Sequence, residues 1–116
     1  MIVGWLVKKI YHPKKLGPLT STWVRPQLFA MPPRVGLSVY THPDMDAEEI
    51  EFIEFSMKGA LLLWIGGEHW ADGDDDDFEG DLAGGWASQF SFLTEGWRQV
   101  GMDELPMIVM PNKSEV

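Results

Sequence analysis

Apolar residues occupy both alternating sets at the start of the chain. Val3, Trp5 and Val7 fall on one, and Ile2, Leu6 and Ile10 on the other. A short run rich in β-branched and aromatic residues that is apolar on both sides predicts a strand covered on both faces, over 1–11. His12-Pro13 and Gly17-Pro18 punctuate a following loop. Residues 23–29 predict a second strand, although Pro26 within it implies a sheet edge or a bulge. Residues 35–41 alternate Val35, Leu37 and Val39 with Gly36, Ser38 and Tyr40, the pattern of a half-buried strand.

The segment 44–57 carries two signals. Asp46 followed by Glu49 matches a helix cap, and Ile50, Ile53 and Met57 recur at helical spacing, which predicts a short helix near 46–52. Ile53-Glu54-Phe55-Ser56-Met57 alternates instead as a strand does, and Lys58-Gly59 would turn it into the apolar run 60–65 as a hairpin. Further on, Trp86, Phe90, Leu93, Trp97 and Val100 step by four, three, four and three, which predicts a helix over 86–100 ended by Gly101. Residues 107–110 suit a last strand. The expected fold is therefore α+β, a largely antiparallel sheet of about four to five strands with one C-terminal helix (86–100) and the short helix near 46–52.

Composition bounds this picture. A chain of 116 residues with 45% hydrophobic content, 6 Trp and 6 Phe fits a single domain, 1–116, with one core. The absence of cysteine excludes disulfides, thiolate metal sites and Cys nucleophiles. The lysines at 8 and 9 follow the first apolar stretch rather than precede it, unlike a signal peptide, and no apolar run approaches the ~20 residues a membrane helix needs. The expectation is a cytoplasmic protein, in the host cytoplasm if viral, with no membrane partner.

Charge changes the picture most. Residues 1–43 hold six basic side chains and no acidic one, a formal +6. Residues 44–116 hold three basic against eighteen acidic side chains, a formal −15. A basic first part and an acidic second part of one small domain suggest an electrostatic partner or charge-complementary self-association into a homo-oligomer.

The densest acidic stretch is Asp72, Asp74, Asp75, Asp76, Asp77, Glu79 and Asp81, with Phe78 inside it and Trp70 just before it. A calcium-hand loop begun at Asp75 would find oxygen ligands at Asp77 and Glu79 but Trp86 at its twelfth position, where a bidentate Glu belongs. B-DNA carries about one negative charge per 1.7 Å of axis, and carboxylates spread densely over a face imitate it. Aromatics among them supply the anchors that dominate interface energies. Trp70, Asp72, Asp74–Asp77, Phe78, Glu79 and Asp81 are thus the candidate partner-binding residues, with Glu48, Glu49, Glu51 and Glu54 as an extension of the same face. A solvated loop is the plain alternative.

Catalytic signals are weak. Glu68-His69-Trp70-Ala71-Asp72 offers a His and a carboxylate for a metal-dependent site centred on His69, Asp72 and the aspartates, but no HExxH helix is present. GxSxG, GxxxxGK[ST] and GxGxxG are absent too. Lys8, Lys9, Lys14 and Lys15 with Trp5, Tyr11 and Trp23 are ingredients of a nucleic-acid surface, yet alternation claims those aromatics for the core and the −15 remainder repels polyanions. The expected function is non-enzymatic, with no catalytic residue, metal or cofactor and no direct nucleic-acid binding. It is an acidic inhibitor of phage or mobile-element type, occupying the basic surface of a nucleic-acid-processing host protein as a nucleic-acid mimic. Its rivals are a cation-binding protein or metal-dependent enzyme at His69/Asp72, and a charge-complementary assembly subunit.

Overall fold

The computed structural model describes residues 1–12, 19–41, 47–66, 69–70, 96–112 and 114, and for 10–12, 19–20 and 69–70 the backbone alone. Among them the strands are β1 (Ile2–His12), β2 (Leu19–Phe29), β3 (Ser38–Val39), β4 (Glu48–Phe55), β5 (Leu61–Ile65), β6 (His69–Trp70) and β7 (Arg98–Val100), followed by a 3-10 turn at Leu105–Met107. Six run in the order β3-β4-β5-β1-β2-β7, and β6 pairs with β1 off that path. The sheet is mixed. β1 pairs antiparallel with β2 over its whole length but parallel with β5 and β6.

β1 is central, and its two-sided apolar pattern has the expected consequence. Leu6 joins a cluster with Trp23, Phe29, Ile50, Leu63, Ile65 and Trp97 on one face. Trp5 and Val7 join Val24, Ala60, Leu62, Val100, Leu105 and Ile108 on the other. Each such side chain, fully buried, contributes about 1.5–3 kcal/mol. Pro26 is accommodated because β7 spans only Thr22 to Val24 of β2, so the outer edge at Pro26 has no ladder to lose.

The chain from 101 to 112 covers the second face. Leu105 and Ile108 tuck under Trp5 and Val7. Trp5 Nε1 donates to the Val109 carbonyl at 2.8 Å, and Ser56 Oγ donates to the Ile108 carbonyl at 2.7 Å. Residues 107–110 therefore form no strand, contrary to expectation. They are held by side chains reaching their carbonyls, not by a ladder.

The α+β expectation fails, because the described residues contain no α-helix. Of the segment 86–100, residues 86–95 lie outside the described residues, and 98–100 form β7. Trp97 and Val100 would share a helix face three residues apart. Here the backbone is extended, so Trp97 packs on the first cluster and Val100 on the second. Gly96, at φ 78°, lies in the left-handed region just before them, which no helix passes through. The short helix near 46–52 is likewise replaced, over 48–52, by β4. The register slips between Ile50 and Phe52, so Glu51 is an extra residue. That bulge puts Ile50 and Ile53 on one face in spite of their odd spacing, which imitates a helical period. The hairpin reading of 53–65 does hold: β4 and β5 pair antiparallel through a turn in which Gly59 adopts φ 81°.

Candidate protein-binding surface

The charged residues of β1 and β4 divide into an inward and an outward set. Lys8 follows Val7 in the alternation and so points into the first face, where it is fully buried at 0% exposure. Its Nζ meets Glu48 Oε1 at 2.6 Å, reaching across β5 from β1 to β4. Thr41 Oγ1 donates to the other oxygen of Glu48 at 2.9 Å, and Arg25 Nη1 donates to the Thr41 carbonyl at 2.8 Å. Burial pushes the Lys8 ammonium below its ordinary pKa, while the hydrogen bond and charge of Glu48 oppose that shift. This cluster is internal. It removes Lys8, and with it the buried Trp5 and Trp23, from any nucleic-acid-tracking surface, and it removes Glu48 from the expected anionic face.

The outward set lies on β4. Glu49, Glu51 and Glu54 are exposed, and so are Phe52 at 48% and Phe55 at 71%. Phe52 stacks on Trp64 of β5 with ring centroids 5.2 Å apart, and Trp64 Nε1 donates to Glu54 Oε1 at 2.7 Å. The Lys9 ammonium stands over the Trp64 ring at 5.2 Å. Phe52, Glu54 and Trp64 therefore share the second face. Ile53 and Phe55 point to the first, where they line an apolar pocket of about 410 Å³ with Ile2, Leu61, Pro32 and Pro33.

Among the described residues, the outer flank of β4 is paired only at its ends. β3 covers Glu48 and Glu49, and the turn at 34–37 extends that cover, with the Ile50 amide donating to the Leu37 carbonyl at 2.8 Å and the Gly36 amide donating to the Ile50 carbonyl at 2.9 Å. At the far end the Met57 amide donates to the Pro106 carbonyl at 2.7 Å. Between them, no strand among the described residues pairs with this flank.

A further acidic residue, Glu104, is exposed and accepts from Arg98, whose guanidinium holds its carboxyl below the usual range. That guanidinium also lies over the Trp5 ring, at 5.7 Å.

Of the residues expected from the sequence, Trp70 lies in β6 beside His69, where the backbone pairs with β1. Asp72, Asp74–Asp77, Phe78, Glu79 and Asp81 lie outside the described residues, as does His42. No group of three or more metal-capable side chains occurs among the described residues. Phe52 and Phe55 were not singled out from the sequence. The signal for Phe55 is the strand alternation at 53–57, which competes with a helical reading, and Phe52 falls outside that run. No protein-family model matches the chain, and no curated protein or solved structure matches it either.

Proposed function

We propose that this chain is a non-enzymatic protein-binding module whose acidic, aromatic-studded surface meets and blocks a basic partner. In its most specific form, the blocked surface is one that ordinarily holds nucleic acid. A single observation carries the reading. On β4 the exposed glutamates 49, 51 and 54 are interleaved with exposed Phe52 and Phe55, while Lys8 and Arg25, basic residues of the first part, are engaged inside the molecule. Carboxylates beside solvent-facing aromatics combine long-range attraction for lysine and arginine with apolar anchors at contact. The aspartate run at 72–81 belongs to the same acidic second part of the chain, 44–116.

The test is capture of partners from a lysate on immobilised protein, with salt-step elution and competition by double-stranded DNA. Bound proteins should be basic, should elute as salt rises, and should be displaced by DNA. Glu51→Gln with Glu54→Gln should weaken their retention. Salt-indifferent capture, or partners lacking any basic surface, would overturn the reading.

A further inference from the structure

The open flank of β4 has a definite geometry. The Ser56 amide donates to the Ala60 carbonyl at 2.8 Å and so faces β5. Ladder alternation then turns the N–H and C=O of Glu54 and Phe52 toward β5 and those of Ile53 and Phe55 away from it. The Met57 amide, next in that outward series, is the one that meets Pro106. No hydrogen bond within the described residues is made on the outer side of Ile53 or Phe55. The gap is bounded by Ile50 and Met57 and is one short strand long.

We propose that this gap is a strand-addition site, filled by an extended segment of a partner protein that alternates apolar with lysine or arginine side chains. The incoming backbone would pair with the peptide groups of Ile53 and Phe55. Alternate side chains of an added strand point to opposite faces. Those on the first face would lie beside Ile53 and Phe55, where the pocket is apolar. Those on the second would lie beside Phe52 and Glu54, where a cation gains a carboxylate and an aromatic ring. Glu51, at the bulge, adds a further negative charge. A second copy of this chain is a poorer occupant, because edge-to-edge pairing would bring Glu51 and Glu54 of both copies together, and like charges across a ladder repel. The basic half of the proposal rests on the function proposed above. The backbone half does not.

Three synthetic peptides separate these halves: acetyl-Val-Lys-Val-Arg-Val-Lys-Val-amide, the same peptide with Glu at every basic position, and the basic peptide with a fully N-methylated backbone. The readout is NMR amide exchange on the full chain. The basic peptide should bind and slow exchange at the Ile53 and Phe55 amides by about ten-fold or more at saturation. The N-methylated peptide keeps charge and side chains but cannot form a ladder, so it should bind at least about ten-fold more weakly. Equal binding of the N-methylated peptide, slowing confined to other amides, or no binding of the basic peptide would overturn strand addition. Equal binding by the glutamate peptide would leave strand addition standing and defeat the basic-partner reading. Sedimentation showing a dimer in which the two amides are already protected would give the edge to a second copy and overturn the proposal.

Discussion

Lys8 shows how strongly a single position can depend on its neighbour. Its ammonium is enclosed on the first face of the sheet, and Glu48 at 2.6 Å compensates it. Removing one partner of a buried pair takes away charge compensation from the other, at a cost of up to about 3–5 kcal/mol, whereas replacing both with apolar groups is often neutral or stabilising. Glu48→Ala should therefore lower the unfolding free energy in urea denaturation, by up to about 3–5 kcal/mol, and Lys8→Met combined with Glu48→Leu should recover much of that loss. Equal losses in the single and double variants would mean the pair is not coupled. The pH dependence follows from the lowered pKa of Lys8. Below both its native and its unfolded values the residue is protonated in each state and adds no slope. Between the depressed native value and the unfolded value near 10.5, the unfolded chain holds a proton that the native one has released. The Lys8 contribution to stability thus rises with pH through that window, and Lys8→Met should flatten the rise.

At the scale of elements, Ser56 ties the β4–β5 hairpin to the C-terminal segment. Its hydroxyl donates to the Ile108 carbonyl at 2.7 Å and accepts from the amides of Ala60 at 3.0 Å and Lys58 at 3.2 Å. Ser56→Ala leaves a buried carbonyl and a buried amide without their partner, so it should cost about 1–3 kcal/mol with little change in urea m-value. An effect below about 0.5 kcal/mol, typical of a surface site, would mean solvent replaces the hydroxyl. The same elements show what the sequence made legible. β1 was readable because its period of two is uninterrupted, and the hairpin because Lys58-Gly59 separates two apolar runs. β4 was obscured by Glu51, since one inserted residue converts strand spacing into apparent helix spacing. Trp97 and Val100 misled for the opposite reason: both are buried, but on opposite faces of the sheet, and periodicity cannot distinguish two faces of a sheet from one face of a helix. Of the candidate site, the acidic character was visible from charge alone. The open flank was not, because it depends on where β3 and the 106–108 segment happen to end.

For the whole molecule the question is where the excess negative charge goes. Nine basic side chains face eighteen acidic ones, so even complete internal pairing would leave a formal −9. Lys8 already neutralises Glu48 and Arg98 already meets Glu104. Arg25 spends a donor on a carbonyl instead of a carboxylate. If the second part of the chain keeps its remaining carboxylates outward, they repel one another in the native state more than in an expanded one, and added salt should relieve that repulsion. The screening length falls from about 10 Å at 0.1 M to about 3 Å at 1 M, which removes repulsion between exposed groups but hardly touches the buried Lys8–Glu48 pair. Raising sodium chloride over this range should therefore raise the melting temperature of the chain. Were the aspartates instead folded back onto the lysines and arginines of the first part, salt would screen attraction and lower it. The sign of the shift in a scanning-calorimetry series decides between an outward anionic surface available to a partner and a charge distribution already satisfied within the fold.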